Sequence, residues 1–122
     1  MKHAFLLAFA FASSACATLP APRSAIREDG LAGLGHPTRV GRLVVTPQAV
    51  VEDSRCPINA RCVWAGRLVL NTRIDGAGWV ETVDLTLGQP YASHGTGVAL
   101  VSAEPRRMAG ADPAPAASLF GF

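Results

Sequence analysis

The stretch RLVLNTRIDGAGWVETVDLTL, Arg67–Leu87, decides the fold class because its apolar residues recur with a period of two. A glycine-rich turn at Asp75–Gly78 divides it into two runs. Successive side chains of a strand point to opposite faces, so one face of each run is apolar. The predicted core face carries Leu68, Leu70, Ile74, Trp79, Val83, Leu85 and Leu87. The stretch therefore predicts an antiparallel hairpin. Because Glu81 is charged and falls on the inner face, it is predicted to lie near an edge of the sheet.

Two further strands are predicted around this hairpin, at Arg42–Val51 and Val98–Glu104. Pro47 lies in the first of them and has no N–H for a ladder, which predicts an edge position or a break. Past the N-terminus, no segment shows a helical stripe. Short strands separated by Gly and Pro predict an all-β fold, a small β-sandwich or open barrel of antiparallel strands over residues 39–104.

The flanks of this domain have a different composition. Residues 16–38 are rich in Pro, Ala and Gly and predict a flexible tether and a covering segment that packs through Ile26, Leu31 and Leu34. Residues 105–122 are loop-like, with a possible last short strand at Ser118–Phe122.

The first fifteen residues predict a signal peptide for export. A basic start is followed by the nine-residue apolar run Ala4–Ala12 and then by small residues before Cys16. A helix of that length rises only about 14 Å, roughly half the hydrocarbon thickness of a bilayer. The segment is therefore too short to be a membrane span.

Cys16 distinguishes two kinds of signal. Small residues before a cysteine resemble a bacterial lipobox, which implies that Cys16 is lipidated, although Ser13 stands where an aliphatic residue is usual. Cleavage after Ala17, giving a soluble periplasmic or secreted protein, is the alternative. The odd cysteine count favours lipidation, and Ala17 after the cysteine implies the outer membrane. We expect a membrane partner through a lipid anchor, with the domain facing the periplasm.

The charge pattern gives no indication of a nucleic-acid partner. Eleven basic residues, of which Lys2 lies in the signal segment, stand against nine acidic ones. The arginines are scattered, with no run longer than two. Nucleic-acid binding requires a clustered basic footprint, so this class of function is not expected.

The stretch EDSRCPINARCVWAG, residues 52–66, predicts a disulfide between Cys56 and Cys62. Thiols close together in an oxidising compartment are normally paired, and Pro57 and Asn59 in the spacer favour a turn. Trp64 shares the strand parity of Cys62 and is expected to pack on the bridge.

The polar and glycine residues of the same stretch predict its local geometry. The side chains of Asp53 and Ser54 are expected to bond backbone N–H groups at the turn. Gly66 interrupts the inward row, which indicates a bulge or a close approach of two backbone segments.

Two chemical roles for the cysteines were weighed against the structural one. Redox activity typically needs a C-x-x-C spacing at a helix N-terminus, and the spacing here is longer. A structural zinc site needs four ligands, and the histidines His36 and His94 lie far away in sequence. We expect no metal and no cofactor.

Catalysis is not predicted either. The chain has no G-x-S-x-G motif. Ser93 and His94 are adjacent in a glycine-rich loop, but adjacency in sequence does not establish a catalytic contact. We expect a protein without enzymatic activity.

The expected function is a non-catalytic binding or structural accessory role towards an unknown envelope protein or glycan. Arg55, Asn59 and Arg61 form the candidate partner-facing loop. One alternative is an inhibitor that presents this loop to a protease or another envelope enzyme. Another is a weak glycan or peptidoglycan binder that uses Trp64, Trp79 and Tyr91, although packing of these rings in the core is favoured.

The segments Glu52–Pro57 and Arg61–Gly66 together are similar to a signature of an uncharacterised family of small secreted proteins and lipoproteins of bacteria. The motif core is Asp53, Arg55, Pro57, Trp64 and Gly66, with the two cysteines. The resemblance extends from about Val40 to Glu104. It implies export, often lipidation, and a β-rich domain, and it implies no activity. The closing APAASLFGF departs from the full last strand that the family would imply.

Overall fold

The structure is a computed structural model that describes residues 15–17, 25–110 and 118–122. The predicted signal peptide lies outside these residues except for position 15, as do residues 18–24 of the tether and 111–117 of the tail. The described residues form nine strands and no helix. The strands are β1 Leu31–Ala32, β2 Thr38–Val40, β3 Leu43–Asp53, β4 Leu68–Gly76, β5 Trp79–Thr86, β6 Tyr91–Ser93, β7 Thr96–Val98, β8 Ser102–Glu104 and β9 Leu119–Gly121.

The strands form three antiparallel sheets. The largest has the order β2-β3-β4-β5, the second has the order β1-β9-β8, and β6 and β7 form a separate hairpin. The two larger sheets and the hairpin contribute to one apolar core. The predicted all-β class is confirmed, with several sheets of short antiparallel strands and no closed barrel in the part of the chain described.

The hairpin predicted from Arg67–Leu87 is β4–β5. Leu70 pairs with Leu85 in the ladder, and Leu68 is buried in the same core. Gly76 pairs with Trp79, so the turn contains only Ala77 and Gly78 and is shorter than the sequence predicts. Val83 is partly buried against the core. Glu81 lies on β5, the outermost strand of its sheet, as expected from its charge.

The predicted break at Pro47 is absent, whereas the side of Pro47 away from β4 is a strand edge, as expected. β3 is one continuous strand between β2 and β4, and the ladder to β4 shifts register between Pro47 and Ala49. The pairing with β2 ends at Val45, so no strand flanks Pro47 on that side. The Pro47 carbonyl accepts a hydrogen bond there from Gly35 N at 2.7 Å. The N–H and C=O groups of one residue in an antiparallel strand point to the same side of the strand. Because the Pro47 carbonyl points away from β4, the N–H that proline lacks would also have pointed away, and no hydrogen bond to β4 is lost.

The domain extends beyond the expected limits 39–104. β9, the possible last strand, lies between β1 and β8, and Phe120 is its buried core residue. The predicted strand Val98–Glu104 is instead divided: Val98 ends β7, and β8 starts at Ser102. The covering segment contacts the domain as expected, with Leu31 in β1 and Leu34 against the core, whereas Ile26 is exposed.

The core is apolar and drawn from both large sheets. Leu100, between β7 and β8, is fully buried although it belongs to no strand. Buried apolar residues of the core are Leu43, Val45, Leu68, Leu70, Ile74, Leu85, Val98, Leu100, Ala103 and Phe120. Among the described residues, no helix has the length and apolar character needed to cross a membrane.

Candidate functional site

The loop between β3 and β4, residues 54–67, is closed by a disulfide between Cys56 and Cys62. Their Cα atoms are 5.9 Å apart, within the usual range for a disulfide. The loop is named the clasp loop below. The predicted pairing is therefore present, and it encloses a ring of the five residues Pro57 to Arg61.

The stem of the clasp loop continues the β3–β4 hairpin with backbone hydrogen bonds. Ser54 N donates to Arg67 O at 2.8 Å, and Cys56 N donates to Ala65 O at 2.9 Å. Arg67 N also donates to Ser54 Oγ at 3.1 Å. The expectation that the Ser54 side chain bonds a backbone N–H is confirmed. The two arms of the loop are therefore held together before the disulfide is reached.

Gly66 allows this close approach of the two arms. Its φ is +69°, a conformation that only glycine adopts readily. A Cβ atom on Gly66 would lie 1.7 Å from the Ser54 carbonyl oxygen. The prediction of a close backbone approach at Gly66 is confirmed.

Asp53 and Arg55 form an ion pair at the base of the clasp loop. Arg55 Nε and Nη2 donate to the two carboxylate oxygens of Asp53 at 2.8 and 2.9 Å. The Arg55 backbone N–H also reaches Asp53 Oδ1, at 3.4 Å, as expected for a carboxylate at a turn. The hydrogen bonds from Arg55 hold the pKa of Asp53 below its ordinary value. The side chains of Asp53 and Arg55 are only 27% and 19% exposed.

A second segment, residues 103–109, braces the clasp loop. Arg107 Nη1 donates to the carbonyl oxygens of Asp53 and Arg55 at 3.1 and 3.2 Å. Asn59 Oδ1 accepts from Ala109 N at 2.8 Å, and Ile58 N donates to Arg107 O at 3.0 Å. The sequence analysis missed this brace, because nothing in the loop-like run around Arg107 marks which arginine turns inward.

Of the candidate partner-facing residues, Arg55 and Asn59 are bonded within the protein, whereas Arg61 is exposed. Arg55 bonds Asp53 and, through Nη1, the Ala103 carbonyl at 3.3 Å, so it does not protrude. Asn59 is bonded to Ala109. Arg61 is exposed within the disulfide ring. Pro57 starts the turn predicted for the spacer, since its carbonyl accepts from Ala60 N at 3.1 Å.

The clasp loop presents three large apolar residues to solvent, of which Ile58 lies inside the disulfide ring and Val63 and Trp64 follow it. Val63 is fully exposed and the Trp64 side chain is 60% exposed. The prediction that Trp64 packs on the disulfide as a core residue is wrong. β4 begins only at Leu68, and the positive φ of Gly66 interrupts the extended chain, so the strand parity of Cys62 and Trp64 does not continue into the sheet.

The three aromatic residues considered for glycan binding do not form one surface. Trp64 precedes β4, whereas Trp79 pairs with Gly76 at the far end of that strand. The eight steps of β4 correspond to roughly 26 Å. One face of the Trp79 ring is covered by the His94 ring, with centroids 4.0 Å apart and planes 9° apart.

A polar cluster surrounds this stacked pair. The Tyr91 hydroxyl donates to Glu81 Oε1, and Ser93 Oγ lies 2.7 Å from His94 Nδ1. Ser93 and His94 are therefore in hydrogen-bonding contact, which their adjacency in sequence did not by itself establish. His94 has a φ of +52° and lies in the two-residue turn of the β6–β7 hairpin, a turn type that takes positive φ values.

The cluster does not have the arrangement of a catalytic triad. Glu81 Oε2 is 3.8 Å from His94 Nδ1, the same ring nitrogen that Ser93 contacts. In a triad the acid and the serine bond opposite ring nitrogens, so that the histidine can relay a proton. The Tyr91 hydrogen bond lowers the pKa of Glu81 and, reciprocally, raises the pKa of Tyr91. This arrangement fits a structural polar cluster.

Cys16 is a free, exposed cysteine. No group of three or more His, Cys, Asp or Glu side chains among the described residues could hold a metal ion. Comparison of the chain with family models, with curated proteins and with solved structures gave no significant match.

Proposed function

We propose that this protein is a non-catalytic binding module of the bacterial cell envelope, which is exported, lipidated at Cys16 and held at the outer membrane. In this proposal it engages an envelope protein with Val63 and Trp64. The observation that carries the proposal is the exposure of these two apolar side chains on a disulfide-closed loop.

A binding loop that is already ordered is suited to association. Exposed tryptophan is among the residues that most often dominate the energy of protein interfaces. A loop that is rigid before binding loses less conformational entropy on association. The clasp loop is constrained by its disulfide, by the stem bonds at Ser54 and by the brace from Arg107.

The anchoring part of the proposal is supported by the sequence before Cys16 and by the exposure of that residue. The chain joins the domain at Arg27, which is bridged to Thr38, and the ten residues between Cys16 and Arg27 span at most about 35 Å, enough for the domain to stand clear of the bilayer surface. Mass spectrometry of the mature N-terminus tests this part. We expect a peptide that starts at an acylated Cys16, and an unmodified start at Thr18 would contradict the anchor.

The binding part is tested by capture from an envelope extract on immobilised full chain. The variant Val63→Ser/Trp64→Ala should lose a partner that the wild type retains and should remain folded, because both side chains are exposed. The matched control is Val80→Ser, which changes an exposed apolar residue on β5. Equal capture by all three proteins would contradict a role for Val63 and Trp64.

A second candidate function is inhibition of a trypsin-like envelope protease. The observation in its favour is the exposure of Arg61 inside the disulfide ring. Inhibition of such a protease by the full chain would have to be lost in Arg61→Ala and kept in Arg42→Ala, which changes an exposed arginine of the β2–β3 turn. If neither the wild type nor the Arg42→Ala control inhibits the protease, this candidate is eliminated.

A further inference from the structure

A cleft of about 320 Å³ lies between the clasp loop and the segment 101–107. The clasp loop contributes Arg55, Cys56 and Ile58 to one wall, and Leu87 also contributes to the lining. β8 and the residues beside it form the other wall. Val63 and Trp64 do not line this cleft, so any role of the cleft is independent of the function proposed above.

The two walls are fixed relative to each other by hydrogen bonds. Arg55 Nη1 spans the gap to Ala103 O at 3.3 Å. Arg107 Nη1 reaches back to the carbonyls of Asp53 and Arg55. The cleft is therefore formed before any ligand arrives, as is usual for small-ligand sites.

The lining combines exposed apolar surface with positive charge. Ile58 and Val101 are both more than half exposed. Arg106 is exposed, and among the described residues none pairs with its guanidinium by a hydrogen bond or an ion pair. The three arginines of the lining stand against one acidic residue, Glu104. A carboxylate is the natural counter-ion for an unpaired guanidinium, which can hold it with two parallel hydrogen bonds.

One side of the cleft also offers backbone hydrogen-bonding groups. Among the described strands, β8 is the outermost of its sheet and pairs with β9 alone. Its Ala103 carbonyl already accepts from Arg55 Nη1, so a peptide strand has only the other groups of this edge to bond. The outer N–H and C=O groups of an edge strand can accept an extended peptide as an additional strand. β8 contributes Ser102, Ala103 and Glu104 to the lining, so these groups border the cleft.

We propose that this cleft binds the C-terminal end of an extended peptide. The free carboxylate pairs with Arg106, the last apolar side chain packs on Ile58 and Val101, and the peptide backbone runs along the edge of β8. Apolar surface, a guanidinium without a partner among the described residues and a strand edge that is only partly bonded meet in one preformed cleft, and a peptide C-terminus has a group for each of the three.

The test is fluorescence anisotropy with the full chain and two labelled pools of short peptides, randomised among apolar residues at their last positions. One pool ends in a free carboxylate and the other in an amide. We expect binding of the first pool and at least about tenfold weaker binding of the second. Arg106→Gln should weaken binding of the first pool by a similar factor. The control Arg42→Gln, another exposed arginine, should bind as the wild type does.

Several results would overturn the proposal. These are equal affinity for both pools, no binding of either pool, or equal loss in Arg106→Gln and Arg42→Gln. Binding of octanoate in place of the peptides would show that the cleft takes an acyl chain instead. Val101→Ser, which shortens an exposed side chain, gives a second variant: it should weaken the carboxylate pool without unfolding the domain, and unchanged affinity would count against the proposal. These outcomes do not depend on Val63 or Trp64.

Discussion

Gly66 lies so close to Ser54 that a Cβ atom on Gly66 would stand 1.7 Å from the Ser54 carbonyl oxygen. The same two arms are joined by the Ser54–Arg67 and Cys56–Ala65 backbone hydrogen bonds. The glycine therefore allows the stem of the clasp loop to close, and the disulfide then closes the tip. The exposed position of Val63 and Trp64 depends on this closure.

Replacing Gly66 by alanine should destabilise the domain by more than a positive φ alone explains. A left-handed conformation costs a non-glycine residue about 1–2 kcal/mol, and a forced backbone shift adds about 1–3 kcal/mol. The control is Gly78→Ala, because Gly78 has a φ of +78° and no atom within 4 Å of the added Cβ. Denaturant unfolding measures the loss of unfolding free energy in the two variants. Equal losses would show that the arms separate freely and that the close approach is unimportant.

The disulfide should contribute as a single unit. In a Cys16→Ser background, Cys56→Ala and Cys62→Ala should each lower the free energy of unfolding by about 2 kcal/mol, the value that loop entropy gives for so short a ring. The double variant should match the single ones within about 0.5 kcal/mol, because one bond is lost in all three. Urea denaturation of the four proteins measures this. A double variant clearly less stable than both single variants would indicate separate roles for the two thiols.

The neighbouring arginines 106 and 107 should differ in their effect on stability. Arg107→Gln removes donors from two carbonyl oxygens of the clasp loop, and leaving such groups unsatisfied costs about 1–3 kcal/mol. Arg106→Gln changes an exposed side chain and should remain within about 0.5 kcal/mol of wild type. Hydrogen exchange of the Ile58 amide, which bonds Arg107 O, should accelerate only in the Arg107 variant. Equal exchange in both variants would show that Arg107 does not brace the loop.

Tyr91, the only tyrosine of the chain, should ionise at higher pH than a free tyrosine. Its hydrogen bond to Glu81 raises its pKa. A raised folded-state pKa gives stability that is fully present below the unfolded value of about 10 and is lost as the pH rises through the folded value. The phenolate absorbance reports this titration directly. Glu81→Gln should move the midpoint down towards 10, and an unchanged midpoint would contradict the bond.

The hairpin and the disulfide could be predicted from the sequence because both depend on local patterns. Alternation of apolar residues identifies Leu68, Leu70 and Leu85 as core, since the strand pleat itself has a period of two. The same rule failed for Trp64, because Gly66 leaves the extended conformation and ends the alternation. Periodicity is informative only while the backbone stays extended.

Features that depend on distant partners could not be predicted in full. β9 could be predicted only as a possible strand, because three residues carry little pattern of their own and its pairing with β1 and β8 is not visible in the sequence. The brace from Arg107 to the Asp53 carbonyl joins residues 54 positions apart. The contact between Ser93 and His94 lies at a hairpin turn where His94 has a positive φ, a conformation that this sequence does not mark in advance.

The central claim is that the exposed Val63–Trp64 surface of the clasp loop contacts an envelope protein. Site-specific photo-crosslinking in intact cells tests it most directly, with a photoreactive residue at position 63 and a control at Val80, an exposed apolar residue outside the clasp loop. The account predicts a discrete protein adduct from position 63, absent from position 80 and lost when Trp64 is also replaced by alanine. No adduct from position 63, or the same adducts from both positions, would contradict it.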